Sequence, residues 1–159
     1  IGGGRQAKPG EISLSHNGVL FLDELPEFSR QTLDALRQPI ETGEVEIARA
    51  EAHITYPANF QLVAAMNPCR CGHANDPQLA CHRIPQCIHE YLGRLSGPLL
   101  DRFDIRIEVP PVSLRDMLSP DSGECSADIA QRVARAQKVQ FERNQGGLNA
   151  NLDGELLRE

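Results

Sequence analysis

The stretch Val19-Leu20-Phe21-Leu22-Asp23-Glu24 decides the predicted fold, because an apolar run stops abruptly at two carboxylates. A run of this length is too short for a helix and is typical of a strand buried on both faces of a parallel sheet. Open α/β sheets bind their ligands at the carboxyl ends of such strands. The stretch therefore predicts an α/β fold with Asp23 and Glu24 at a ligand site, and solvated carboxylates at an ordinary strand end are the alternative.

Asp23 and Glu24 have the chemistry of a nucleoside triphosphate site. In phosphate-loop NTPases, an acid at a strand end helps to hold Mg²⁺, and a second polar residue orients the attacking water. We therefore expect Asp23 to hold Mg²⁺ through its water shell and Glu24 to polarise the water. Further motifs are needed to decide, since apolar strands often end in acidic residues.

A second apolar run, Phe60-Gln61-Leu62-Val63-Ala64-Ala65, predicts another buried strand and leads into Met66-Asn67-Pro68. The Asn67 side chain can both donate a hydrogen bond to a γ-phosphate and orient water. The alternative is that Asn-Pro simply begins a loop. Asn67 is therefore a candidate for the same site as the two carboxylates.

A third motif, Ser96-Gly97-Pro98-Leu99-Leu100-Asp101-Arg102-Phe103-Asp104, lies between a predicted helix (88–95) and a predicted strand (104–109). An arginine at such a helix end, on the edge of a subunit, can reach a neighbour's γ-phosphate as an arginine finger. The alternative is a surface ion pair between Asp101 and Arg102, which would contribute little stability. The order of acid pair, asparagine and arginine, each at the end of a predicted element, favours the nucleotide site.

The other segments show helix and strand signals in alternation. Ser29 is the expected N-cap of a helix that ends at Gly43. Residues 44–56 alternate with period two on either side of a short polar joint, which predicts a β-hairpin. A further helix is expected over residues 126–144. The pair Pro110-Pro111 marks the expected boundary between α/β and helical material.

Three long motifs closely resemble those of the magnesium-chelatase-like AAA+ ATPases. They are Pro9 to Phe28, Ala65 to Cys69 and Ser96 to Asp104. The resemblance implies that the carboxylate pair is the Walker B motif, that Asn67 is sensor 1 and that Arg102 is an arginine finger acting in trans. Asp23, Glu24 and Asn67 would then bind ATP and Mg²⁺. Glu24, Asn67 and Arg102 would be the catalytic residues.

The resemblance also implies an α/β fold that is part of an AAA+ three-layer core, in the P-loop NTPase class. Residues 1–110 would be the C-terminal part of this core, with a pre-sensor-1 β-hairpin at 44–56. Residues 111–159 would be a linker and the start of a helical lid. The chain has no Gly-x-x-x-x-Gly-Lys-Ser/Thr phosphate loop, which would lie upstream of Ile1, and the sensor-2 arginine would lie beyond Glu159. We therefore expect part of a longer protein, inactive by itself.

The resemblance implies an ATP-driven motor of a homo-hexameric ring that acts on DNA in the manner of a branch-migration helicase. The alternatives are a magnesium chelatase ATPase subunit, which drives partner subunits to insert Mg²⁺ into a porphyrin, and an inactive scaffold. Arg5, Lys8 and Arg49 would be candidate pore contacts with DNA, and solvated surface residues are the alternative. A net charge of −6 and 4% aromatic residues give no independent support for DNA, since nucleic-acid-binding domains are usually basic.

The location of the protein is expected to be cytoplasmic. The sequence has no run of about 18 apolar residues that could span a membrane. Its first residues lack the apolar core of a signal peptide.

A cysteine cluster in a chain without an export signal indicates metal binding before disulfides. The candidate ligands are Cys69, Cys71, Cys81 and Cys87. Four thiolates satisfy a tetrahedral structural Zn²⁺ without other ligands. The candidate substitutes for one of them are His73, His82 and His89. The alternative is reduced cysteines that pack as small apolar residues.

Overall fold

The structure, a computed structural model, divides into two units, residues 1–107 and 108–159. The described residues are 2–3, 8–49, 52–74, 81–112, 114–118 and 123–152. The strands are β1 (Gly2–Gly3), β2 (Lys8–Pro9), β3 (Val19–Leu22), β4 (Glu44–Arg49), β5 (Ala52–Pro57) and β6 (Gln61–Ala64). The α-helices are α1 (Glu11–Leu14), α2 (Arg30–Ala35), α3 (Arg37–Thr42), α4 (Gln86–Leu92), α5 (Gly97–Leu100), α6 (Leu114–Met117) and α7 (Ser126–Arg143), with short 3₁₀ helices at Leu25–Glu27 and Asn149–Asn151.

A short parallel pair, β3 beside β6, lies at the centre of the first unit. Val19 is opposite Gln61, and the register continues to the end of both strands, so the two predicted strands are confirmed. The prediction that both faces of these strands are buried is wrong for this chain. Leu20 is 8% exposed, whereas Val19 and Phe21 are 57% and 58% exposed. The reason is that the described core packs against one face of the pair only.

The segment 104–109, predicted as a strand, is not one in the structure. Residues 105–112 have no regular secondary structure, and Ile105, Ile107 and Val109 are 77%, 79% and 82% exposed. A strand requires a neighbouring strand to pair with its backbone N–H and C=O groups. None of the described strands pairs with this segment, so its apolar alternation has no sheet on which to pack.

The helix expected between Ser29 and Gly43 is present as two helices, α2 and α3. The Ser29 hydroxyl accepts a hydrogen bond of 3.2 Å from the Thr32 N–H, as an N-cap should. Gly43 ends α3 in the left-handed region, with φ of 70°, which glycine adopts without a Cβ clash. The break at Leu36 follows from Pro39, which has no N–H to donate to the carbonyl four residues earlier.

The predicted hairpin is confirmed, with β4 and β5 antiparallel and Glu44 opposite Pro57. Alternate residues of β4 enter the core, since Val45 and Ile47 are 2% and 4% exposed. The period-two pattern therefore reflects one buried and one solvated face.

One hydrophobic core connects the elements of the first unit. Its buried members are Ile12, Leu20, Leu25, Leu33, Leu36, Val45, Ile47, Ala58, Leu95 and Leu99. Leu99 is fully buried, so α5 is attached to the same core as β3. The core thereby fixes the element that precedes Arg102 against the strand that precedes Asp23.

In the second unit, the described α-helices are α6 and α7. Helix α7 (Ser126–Arg143) confirms the helix expected over 126–144. None of its residues is buried. Among its apolar side chains, Val133 and Val139 are 49% and 61% exposed. In the described part of the chain, no helix is both long enough and apolar enough to cross a bilayer.

Candidate active site

The acid pair lies directly after β3, where the sequence places it. Asp23 and Glu24 are both exposed, and Asp23 Oδ1 accepts a 2.8 Å hydrogen bond from the Glu24 N–H. Glu24 has φ of 51° and ψ of 46°, in the left-handed region. The chain then enters the 3₁₀ helix, whose first two residues, Leu25 and Pro26, are buried. Buried neighbours therefore hold an exposed carboxylate pair at the end of a parallel strand.

Asn67 follows β6 and lies at the same edge of the parallel pair as the acid pair. Beyond the strands, Ala65 N donates to Leu22 O at 2.9 Å, and Leu25 N donates to Ala65 O at 3.1 Å. These two bonds connect the segment that leads to Asn67 with the turn that carries the acid pair. The structure thus brings the backbones of the two predicted motifs together. Carboxylate and amide oxygens are hard ligands of the type that suits Mg²⁺.

Arg102 lies just beyond α5 and contacts a carboxylate that sequence reasoning missed. Its Nε donates to Glu41 Oε1 at 2.8 Å, and its Nη2 makes a second contact with the same oxygen. Sequence analysis offered Asp101 as the alternative partner of Arg102. In the structure, Arg102 forms its ion pair with Glu41 of α3. The two side chains are 39% and 42% exposed, so solvent screens the pair and it contributes less than about 1 kcal/mol.

Helix α4 and the residues after it supply contacts that local sequence signals did not reveal. Arg94 Nη1 donates to Pro26 O at 3.0 Å and to Glu27 Oε2 at 2.9 Å. Tyr91 is 3% exposed, and its hydroxyl lies near enough to the Asn67 backbone for that backbone to lower the pKa of the hydroxyl. The residues of each pair are far apart in sequence, so their contact could not be predicted from local patterns. The only signal in the sequence was a tyrosine in a predicted helix, because a buried tyrosine hydroxyl usually has a polar partner.

Burial and nearby carboxylates set the pKa of the Tyr91 hydroxyl. Burial raises the pKa of the Tyr91 hydroxyl. The hydrogen bond with the Asn67 backbone acts in the opposite direction, while the carboxylates of Glu27 and Glu24 raise the pKa further. Tyr91 is therefore neutral at physiological pH and lies within electrostatic reach of both carboxylates.

The four candidate cysteines form one cluster, in which all sulfur atoms lie within 4.8 Å of one another. Cys69 and Cys87 are buried, and the Cys69 and Cys71 sulfurs are 3.2 Å apart, with every thiol free. Four sulfurs at 2.3 Å from a tetrahedral Zn²⁺ would be about 3.8 Å apart, so small movements would produce that geometry. The sulfur set is complete without a histidine.

The cluster also favours a thiolate. Burial acts to raise the pKa of Cys69, but hydrogen bonds from the Cys71 and Cys87 thiols and from nearby backbone groups outweigh it and lower the pKa to about 7. For Cys71, a hydrogen bond with the His73 backbone acts to lower the pKa. Its thiol neighbours Cys69 and Cys81 outweigh that bond and raise the pKa to about 11. The Cys69 thiol therefore loses its proton first, and its negative charge disfavours deprotonation of the neighbouring thiols. A bound cation would offset that charge and allow the other thiols to lose their protons.

The candidate pore contacts are only partly described. Lys8 is exposed in β2. Arg5 and the side chain of Arg49 lie outside the described residues.

Comparison with known proteins places the chain in a family. The family described as "Magnesium chelatase, subunit ChlI" matches residues 1–117. Protein YifB of Escherichia coli strain K12 is 54% identical over 162 residues, which cover 100% of this chain and 31% of YifB. Competence protein ComM of Haemophilus influenzae is 53% identical over 158 residues, which cover 99% of this chain and 30% of ComM. The zygotic DNA replication licensing factor mcm3 of Xenopus laevis is 28% identical over 145 residues, 91% of this chain and 16% of mcm3.

These matches confirm the resemblance drawn from the three sequence motifs, all of which lie within the matched residues. The chain spans less than a third of the length of YifB and of ComM. Its mixed α/β structure and short parallel sheet agree with part of a P-loop-like fold. The chain belongs to the magnesium chelatase ChlI family, which is related to the AAA+ ATPases.

Proposed function

We propose that the protein is an AAA+ ATPase whose site combines this chain with residues outside it. The observation that carries the proposal is the placement of Asp23, Glu24 and Asn67 after two neighbouring parallel strands, at one edge of the sheet. Ligands of open α/β sheets bind at this edge. The family to which the chain belongs supports the same assignment.

In this site, each of the three residues has a separate task. Glu24 accepts a hydrogen bond from the attacking water and increases its nucleophilicity. Asn67 donates to a γ-phosphate oxygen and holds the water in line. Asp23 holds Mg²⁺ through water, and the ion, when bound, neutralises charge on the β- and γ-phosphates. In this proposal the phosphate loop comes from outside residues 1–159, which contain none, so these residues alone would not hydrolyse ATP.

Arg102 completes the site of a neighbouring subunit in this proposal. An arginine finger stabilises the charge that develops on the transferred phosphoryl group. Its weak, half-exposed pairing with Glu41 leaves it available to a stronger anionic partner. We propose a homo-hexameric ring in the cytoplasm as the assembly in which this role operates.

The domain organisation follows from the same assignment. Residues 1–110 are the C-terminal part of the AAA+ core, and residues 111–159 are a linker and the start of a helical lid. The β4–β5 hairpin is then the pre-sensor-1 hairpin. Lys8, which is exposed in β2, is a candidate contact in the central pore.

DNA is the proposed substrate of the motor, which would act as a branch-migration helicase does. The names of two relatives support this choice, one a competence protein and the other a DNA replication licensing factor. The second candidate is a magnesium chelatase ATPase subunit, which the family description supports. An inactive scaffold is the third, and the presence of both Glu24 and Arg102 argues against it.

The test is ATP turnover by the full-length protein and its Glu24→Gln variant, each with and without single-stranded DNA. We expect DNA to stimulate the wild-type protein, and Glu24→Gln to bind ATP normally while turnover falls by about 10²-fold or more. Glu142→Gln on α7 is the matched control, because that carboxylate is 66% exposed in a weak ion pair. Normal turnover by Glu24→Gln would contradict its role, and stimulation by a porphyrin-binding partner instead of DNA would favour the chelatase.

We also propose that the cysteine cluster binds a structural Zn²⁺. The support is the closeness of the four sulfurs, which lie within 4.8 Å of one another. A tetrathiolate site is closed and structural, because it leaves no coordination position for water. The ion would hold together the segment between β6 and α4, whose described residues, 65–74 and 81–85, contain no helix or strand.

Metal analysis of the purified full-length protein tests the zinc site. We expect about one Zn²⁺ per chain, and its removal by a chelator to lower the melting temperature. Cys125→Ser serves as the control, because that cysteine is exposed in the second unit and should leave the zinc content unchanged. A metal-free protein whose melting temperature does not respond to chelation would contradict the site.

A further inference from the structure

The turn that carries Glu24 is strained and needs support. The left-handed region is unfavourable for a residue other than glycine, and Glu24 lies there with φ of 51°. Such conformations persist only where surrounding contacts determine them. Within the turn, Glu27 N donates to Glu24 O at 2.7 Å, so the position of Glu27 is directly coupled to the backbone of Glu24.

Glu27 is held by arginines from two other segments. Arg94 Nη1 lies 2.9 Å from Glu27 Oε2, and Arg70 Nε lies 3.8 Å from Glu27 Oε1. Arg94 also donates to Pro26 O at 3.0 Å, so it contacts two successive residues of the 3₁₀ helix. The Arg94 and Glu27 side chains are 41% and 38% exposed, about as exposed as Arg102 and Glu41, so solvent screens the charge attraction and the contacts serve to fix geometry. Each carboxylate oxygen therefore faces its own arginine.

Both arginines belong to the part of the chain that the cysteine cluster encloses or adjoins. Arg70 lies between Cys69 and Cys71, and Arg94 follows α4, whose second residue is Cys87. The cluster joins these two segments through the Cys69 and Cys87 sulfurs.

We propose that Glu27 is a positioning residue that links the zinc-binding cysteine segment to the turn carrying Glu24. Through it, the metal centre fixes the direction of the catalytic carboxylate as well as the fold of its own loop. This inference rests on the proposed ATPase function and on zinc binding. It predicts that contacts of Glu27 change the rate of the chemical step more than the affinity for ATP.

The experiment is a double-mutant cycle in the full-length protein with Glu27→Gln, Arg94→Met and the combination of both. We expect each single variant to keep its zinc, to bind ATP within about twofold of wild type, and to lose about tenfold in kcat. The double variant should be no slower than the slower single variant, because both changes break the same contact. Glu90→Gln is the matched control: its carboxylate on α4 pairs with Arg83 at 3.1 Å, away from the turn, and its kcat should remain near wild type.

Each other outcome decides against the inference. A kcat for Glu27→Gln equal to that of Glu90→Gln overturns it, as do losses that multiply in the double variant. Loss of zinc or of ATP binding in Glu27→Gln would mean a purely structural role, and it also overturns the inference. Arg94→Met reaches the same contact from the other side, so the test stands if Glu27→Gln does not fold. If wild type hydrolyses ATP, Glu24→Gln does not, and Glu27→Gln does so at the wild-type rate, only this inference fails; absence of wild-type turnover would instead remove the proposed function.

Discussion

At the scale of single residues, Glu24 combines an unfavourable backbone conformation with an exposed side chain. The strain is offset by the buried Leu25 and by the hydrogen bond from the Glu24 N–H to Asp23 Oδ1. That bond also occupies one oxygen of Asp23, so its other oxygen is the one left for a hydrated metal ion. The two carboxylates are therefore not equivalent, which agrees with their separate proposed tasks.

Arg102 is the residue whose proposed partner lies outside this chain. Within the chain, its guanidinium contacts Glu41 with two of its nitrogens. An ion pair this exposed is stabilised by less than about 1 kcal/mol, whereas charge-assisted contacts to a phosphoryl group in a closed site are much stronger. In the proposed ring, exchange of Glu41 for a neighbour's nucleotide would therefore be energetically favourable.

At the scale of elements, α5 connects Arg102 to the hydrophobic core through Leu99. Leu99→Ala should destabilise the full-length protein by about 2–5 kcal/mol, because the side chain is fully buried and its loss leaves a cavity. The measurement is the shift of the urea unfolding midpoint. Leu14→Ala is the control, since Leu14 is 66% exposed and should change the midpoint little. Equal shifts for the two variants would contradict the attachment of α5 to the core.

Elements with local signals were predictable from sequence. The Ser29 cap, the Gly43 stop and the period-two pattern of residues 44–56 each depend on near neighbours, and the structure contains all three. The split at Leu36, caused by Pro39, follows from the same local chemistry but was not predicted. The strand expected at 104–109 failed because strand formation depends on a partner strand, which the apolar pattern cannot supply.

The same division applies to the candidate site. The position of the acid pair, Asn67 and Arg102 at element ends was visible in the sequence, because apolar runs and turn residues mark those ends. The contacts of Glu27, Tyr91 and Glu41 were not visible, since each joins segments that are distant in the chain. The clustering of the cysteines in the sequence predicted that their sulfurs could share a metal ion, and in the structure the four sulfurs lie within 4.8 Å of one another.

At the scale of the whole molecule, several apolar side chains remain exposed in this chain. Val19, Phe21 and Val63 share the uncovered face of the parallel pair and are 57%, 58% and 38% exposed. Exposed apolar surface of this kind favours association. The chain also spans less than a third of its relatives YifB and ComM, so the proposed activity belongs to the full-length protein in its assembled form.

The central claim is that one nucleotide site combines Glu24 of one subunit with Arg102 of the next. The most direct test mixes two inactive full-length variants, Glu24→Gln and Arg102→Ala, and measures ATP turnover of the mixed rings. Where an Arg102→Ala subunit supplies Glu24 and its neighbour supplies Arg102, the site is intact. Random mixing in equal amounts should restore about a quarter of the wild-type rate, the share of such interfaces in a closed ring. Mixed rings, verified by native mass spectrometry, that remain as inactive as either parent would contradict the shared site.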